Sequence, residues 1–125
     1  MSEPLRPSLL RRVRNSWRLW RRGVYGTIDL VPDGFVYTRK GRAARILWND
    51  VQRIDAGVLD LLTSDLFYVV VHTASQNLTI EEIVDGFRQL ENGIFERWPQ
   101  VQESWTALYR APASQPRHET LLRTI

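Results

Sequence analysis

Leu66-Phe67-Tyr68-Val69-Val70-Val71-His72-Thr73 is the stretch on which the fold turns. Six of these eight residues are β-branched or aromatic, the types that fit a pleated sheet. Apolar side chains fall at both odd and even positions, so the segment reads as apolar on both faces and central in its sheet. Downstream, Ala74-Ser75-Gln76-Asn77 predicts a turn and Leu78-Thr79-Ile80 a short hairpin partner. The period then changes. Ile83, Phe87, Leu90, Ile94 and Trp98 recur at steps of four, three, four and four, which places them on one face of a helix, with Arg88, Gln89, Glu91, Asn92 and Glu96 elsewhere. Pro99 ends that helix. Trp105, Leu108 and Tyr109 predict a further packed segment, either a second helix or an extension across Pro99. From Ala111 to Pro116 the composition is that of a linker, and the tail beyond it carries Leu121, Leu122 and Ile125, which either dock or fray.

Upstream of the central strand the signals are short strands and tight turns. Tyr25 to Val31 and Phe35 to Arg39 are β-rich runs separated by Pro32-Asp33-Gly34, where proline fixes one φ and glycine permits an unusual one. Lys40-Gly41-Arg42 turns the chain into Arg45 to Trp48, and Asn49-Asp50 breaks that strand before Val51 to Ile54. Ala56 to Ser64 is ambiguous, because Val58, Leu59, Leu61 and Leu62 suit a helical turn as well as a strand flanking a loop.

The 125 residues, 43% hydrophobic and 10% aromatic, are enough for one domain with a real core. Without cysteine there is no disulfide, thiolate nucleophile or thiolate metal site. No stretch approaches the roughly 20 apolar residues of a membrane span. Arg11-Arg12 is not followed by an apolar run, so a secretory or twin-arginine signal is not expected, and no small-residue cleavage context supports a mitochondrial transit peptide. A cytoplasmic protein is the expectation.

Charge is unevenly distributed. The first 22 residues hold seven arginines and one acid, a net +6, whereas the remaining 103 hold ten bases and thirteen acids, a net −3. Laid on a helix, Leu9, Leu10, Val13, Trp17 and Trp20 share one face, and Arg11, Arg14, Arg18, Arg21 and Arg22 cover the other. Residues 1–23 therefore read as a basic amphipathic helix ending at Gly23. Two accounts of it compete: the arginine and tryptophan side chains bind an anionic membrane surface, or the apolar stripe packs on the body and the arginines face water.

Several antiparallel strands followed by one amphipathic helix is the order of a pleckstrin-homology-like (PH-like) domain. At residue level the chain resembles bacterial PH-like proteins in Gly34-Phe35-Val36-Tyr37, a basic turn, then Ile46-Leu47-Trp48-Asn49-Asp50-Val51-Gln52-Arg53-Ile54. It is also similar to short proteobacterial proteins with the order Trp48 to Ile54, Asp60 to Asp65, and Glu81-Glu82. The likeness covers roughly residues 25–98. It implies an α+β fold: a bent antiparallel barrel or sheet over residues 24–110 capped by a C-terminal helix, with an added N-terminal helix and a linker-like tail over 111–125. Phosphoinositide-binding PH domains carry a basic cluster in the first strand loop, but here that loop is Pro32-Asp33-Gly34 and holds an acid. Arg39, Lys40, Arg42 and Arg45 form the body's one basic cluster, at a hairpin tip.

Catalytic signals are absent. His72 and His118 lack metal-ligand spacing, and Ser64-Asp65 or Ser75 near His72 comes without a nucleophile elbow or oxyanion loop. Asp60, Asp65, Glu81, Glu82 and Asp85 are the densest carboxylates; three of them suit a helix N-terminus, and together they offer a partner-binding acidic face. The expected function is a non-catalytic, cofactor-free and metal-free binding module. Its expected partner is an anionic lipid surface contacted through Arg11, Arg14, Trp17, Arg18, Trp20, Arg21 and Arg22, peripheral to the inner membrane face. The alternative is a protein-interaction or immunity-type module using the acidic face, compatible with a homo-oligomer. Nucleic acid is disfavoured, since the basic charge is confined to one arm.

Overall fold

The computed structural model describes residues 26–60, 65–110 and 117–124. Among the described residues seven strands and two helices follow in the order β1 Thr27–Val31, β2 Gly34–Arg39, β3 Arg42–Leu47, β4 Val51–Asp60, β5 Asp65–Thr73, β6 Asn77–Glu81, α1 Phe87–Arg97, α2 Val101–Arg110 and β7 Arg117–Arg123. They form two antiparallel sheets, A (β1-β2-β3) and B (β6-β5-β4-β7). The architecture is α+β. The strands do not close into a barrel among the described residues.

Tight turns set the register of sheet A. Val31 pairs with Gly34, which leaves Pro32-Asp33 as a two-residue turn. Gly34 is required there, because a Cβ would lie 1.9 Å from the Ile46 carbonyl oxygen of β3. Arg39 pairs with Arg42 around Lys40-Gly41, both with positive φ (53° and 77°). Such a pair matches the right-handed twist of the strands it joins. A 3-10 turn over Trp48–Asp50 then leads into sheet B.

β5 occupies an interior position in sheet B as its composition predicts, flanked by β4 and β6. Its neighbour β4 runs ten residues; the ambiguous stretch is strand as far as Asp60, and residues 61–64 lie outside the described part. Phe67, Val69 and Val71 of β5 and Ile54, Ala56 and Val58 of β4 share one buried face with Ile80 of β6. The helices cover that face with Phe87, Leu90 and Ile94 from α1 and Val101, Trp105 and Leu108 from α2. Phe67 makes ring contacts with Phe87, Trp105 and Tyr109. Trp105 donates its indole N–H to Glu91 Oε2 at 2.7 Å, so the polar edge of a fully buried ring is satisfied.

The sequence pattern located α1 but placed its start one turn early. Gly86, at φ 93°, caps the helix, and a Cβ there would meet the Ile28 carbonyl oxygen of β1 at 2.3 Å. The first turn of α1 contains no acid. Glu81 ends β6 instead, and Asp85 uses its main-chain oxygen to accept from the Ile28 N–H at 2.7 Å. The helix-terminus account of these acids is therefore replaced by one of strand ending and sheet-to-helix strapping.

The segment read as a linker-like tail supplies a strand. β7 pairs antiparallel with β4, Arg123 opposite Arg53 and Arg117 opposite Val58, with Leu122 buried in the core. Residues 111–116 lie outside the described part.

Candidate functional site

Alternation along β4 sends Ile54, Ala56 and Val58 into the core, and Arg53, Asp55 and Gly57 to the opposite face. On that face Asp55 is 3% exposed, the one buried charged residue among the described residues. The strands on either side bring it partners. Thr120 of β7 donates its hydroxyl to Asp55 Oδ1 at 2.8 Å, while His72 of β5 and His118 of β7 place Nε2 at 3.0 and 3.3 Å from Oδ2. Arg53 Nε lies 3.2 Å from Oδ1, within ion-pairing distance, but its N–H is not aimed at the oxygen and finds no hydrogen-bond acceptor.

The network extends across all four strands. Asn77 of β6 places Oδ1 2.9 Å from His72 Nδ1, and the Tyr68 hydroxyl of β5 lies 3.0 Å from His118 Nδ1. With the proton of His118 on Nε2 facing Asp55, Nδ1 accepts from Tyr68. Asn77 suits either tautomer of His72, because a side-chain amide can turn its oxygen or its nitrogen to Nδ1. Gly57 makes room for Tyr68: a Cβ at Gly57 would lie 2.3 Å from the tyrosine oxygen and 2.6 Å from the Arg117 carbonyl oxygen.

Burial pushes the Asp55 carboxyl upward. The hydrogen bonds from Thr120 and His72, the charge of Arg53 and the hydrogen bond from His118 outweigh that cost and hold it below the ordinary carboxylate range. Glu82 has the opposite balance. It accepts from the Phe67 N–H at 2.9 Å and the Tyr109 hydroxyl at 3.1 Å, yet burial wins and raises its pKa.

The chemistry open to this network is limited. Thr120 gives its proton to the carboxylate rather than to an imidazole, so it is not activated as a nucleophile. Arg53 Nη2 lies 3.2 Å from His72 Nε2, which sets a fixed cation against the nitrogen that would bind a metal. Among the described residues no group of three or more His, Asp or Glu is arranged to hold one. An open groove on α2, lined by Pro99, Gln102, Glu103, Thr106, Ala107 and Arg110, shares no residue with the network. Ser75 bonds to Thr73 within its own turn, not to His72.

The residues singled out from sequence are dispersed. Arg11, Arg14, Trp17, Arg18, Trp20, Arg21 and Arg22 lie outside the described residues. Arg39, Lys40 and Arg42 stand together and exposed at the β2–β3 tip. Arg45 leaves that cluster, since its guanidinium pairs at 3.4 Å with Asp33 in the turn at the other end of sheet A. Asp60 and Asp65 are register partners where β4 meets β5, and Glu81 pairs with Tyr68 nearby. Glu82 turns inward, and Asp85 sits beside Thr27. Sequence reasoning missed Asp55, Arg53 and Thr120, and it weighed His72 and His118 without bringing them together. The polar positions alternating with apolar ones in β4 were the available signal.

Comparison of the chain with protein families, curated proteins and solved structures finds no match. Among the described residues no helix is long and apolar enough to cross a membrane.

Proposed function

We propose that the protein is a non-catalytic binding module of PH-like architecture that attaches peripherally to an anionic membrane on its cytoplasmic face. The observation that carries this reading is the register of sheet A. Thr27 pairs with Thr38, so the chain leaves the basic arm and enters β1 beside the tip that holds Arg39, Lys40 and Arg42. Gly26 is pressed against this tip, since a Cβ there would lie 3.2 Å from Arg39 Cβ. Arg22 precedes Thr27 by five residues, a reach of at most about 18 Å. In this reading the arm and the tip meet the same anionic surface together. Each Lys or Arg near an anionic leaflet contributes on the order of 1 kcal/mol, and Trp17 and Trp20 suit the headgroup zone. Flotation of the full-length protein with phosphatidylglycerol vesicles tests this at low salt. Cosedimentation with anionic but not with neutral vesicles is expected, and a protein that stays unbound to both overturns it.

A second reading is favoured by a different contact. Thr27 forms a β-bridge with Asp85, which brings that end of the acidic region to the same exit point. In this reading the arm packs on the body and the acidic region meets a protein partner. Deleting residues 1–22 separates the two: a lower melting temperature supports packing, whereas unchanged melting with lost vesicle binding supports attachment.

A further inference from the structure

One transverse row of sheet B carries more positive charge than its surroundings absorb. Arg123, Arg53, His72 and Asn77 stand in register across β7, β4, β5 and β6. Their chain neighbours Leu122, Ile54 and Val71 are buried in the core, so the row lies on the face turned away from the helices. Two arginines directly opposite each other on one face repel unless an anion lies between them. The acid at hand is Asp55, one row along, and it is already shared among Thr120, His72, His118 and Arg53. Arg53 Nη2 faces His72 Nε2 at 3.2 Å, and when that nitrogen gives its proton to Asp55 the contact sets donor against donor. Arg123 is exposed and has no ion-pair partner among the described residues.

We propose that this row is an oxyanion site of the phosphate class, with the anion seated between the guanidinium groups of Arg53 and Arg123 and His72 beside them. Guanidinium forks match phosphate oxygens in pairs. Two forks on neighbouring strands offer donors in several directions, which suits a tetrahedral anion better than a planar carboxylate. The site stands on sheet B alone and does not depend on the basic arm.

Titrating the full-length protein with inorganic phosphate, with chloride at equal ionic strength as control, tests the assignment through the arginine Nε–H and His72 ring resonances. Saturable shifts at Arg53 and Arg123 are expected. Arg123→Gln, an exposed substitution, should weaken phosphate at least about tenfold, while combined Arg39→Gln, Lys40→Gln and Arg42→Gln leave it unchanged. Shifts that fail to saturate, an equal response to chloride, or unaltered affinity in Arg123→Gln would overturn the site. Phosphatidylglycerol vesicles added to the triple variant distinguish the sources. Perturbation of Arg123 by vesicles assigns the phosphate to a lipid headgroup; a response to inorganic phosphate alone assigns it to a free or soluble phosphate. Saturation by phosphate in a protein that does not float with vesicles would reject membrane attachment and keep this site.

Discussion

At the scale of single residues, Asp55 and Glu82 are two partly or wholly buried carboxyls with opposite linkage to folding. Asp55 is held below its ordinary 3.8 by its donors, so its contribution to stability is complete above that value and is lost as pH falls through the lower folded value. Asp55→Ala leaves Thr120 and two imidazoles without their acceptor and Arg53 without its counter-charge, and a loss of about 3–5 kcal/mol in urea unfolding at pH 7 is expected. Asp55→Asn should also flatten the stability profile below pH 3.8. Glu82 is raised above its ordinary 4.5, so the folded state binds its proton more tightly than the unfolded state does. Stability therefore declines as pH rises from 4.5 through the raised value. Glu82→Gln keeps an acceptor for the Phe67 N–H and removes the buried charge. Its urea midpoint at pH 7 should equal or exceed that of the parent, and a lower midpoint would show that the charge itself is needed. Gly57→Ala drives a methyl against both Tyr68 and the Arg117 carbonyl; a destabilisation of about 1–3 kcal/mol is expected.

At the scale of elements, β7 shows what local reading could and could not reach. Strands β1 to β3, β5 and β6 were legible because apolar runs and Pro-Asp-Gly or Lys-Gly turns lie next to each other in the chain. The partner of β7 lies more than fifty residues away, and Arg117–Arg123 is mostly polar, so nothing nearby marks it as strand. Its docking is decided by Leu122 in the core and by the grip of Thr120 and His118 on Asp55. The network was illegible for the same reason: its members come from four strands, and only the fold sets them side by side. The start of α1 was misplaced because Ile83 continues the helical spacing, whereas the close approach of Gly86 to β1 fixes where the helix begins. Truncation after Arg110 tests the standing of β7. A dispensable tail would leave unfolding unchanged. An integral strand predicts a large loss of stability and association through the bared edge of β4, read by urea unfolding and size-exclusion chromatography.

At the scale of the whole molecule, the sequence shows a basic arm and a basic hairpin tip as separate features, and the pairing of Thr27 with Thr38 starts β1 beside that tip. That junction makes a quantitative claim about binding. If arm and tip meet the same leaflet, removing the three tip charges with Arg39→Gln, Lys40→Gln and Arg42→Gln should weaken partitioning onto anionic vesicles by up to about 3 kcal/mol, roughly a hundredfold, while the arm stays intact. The tip is exposed and its turn is set by Lys40 and Gly41 backbone conformation, so substituting the outer side chains perturbs charge more than fold. Because the contribution is electrostatic, the difference between parent and variant should shrink as salt is raised, since the screening length falls from about 10 Å at 0.1 M to about 3 Å at 1 M. Substituting Arg45 with Gln serves as an internal control: its guanidinium is drawn to Asp33 at the far end of sheet A, so the change should alter partitioning far less than loss of any one tip charge. Equal effects at Arg45 and Arg42 would mean that binding follows net charge alone and that the pooled basic end has no special role.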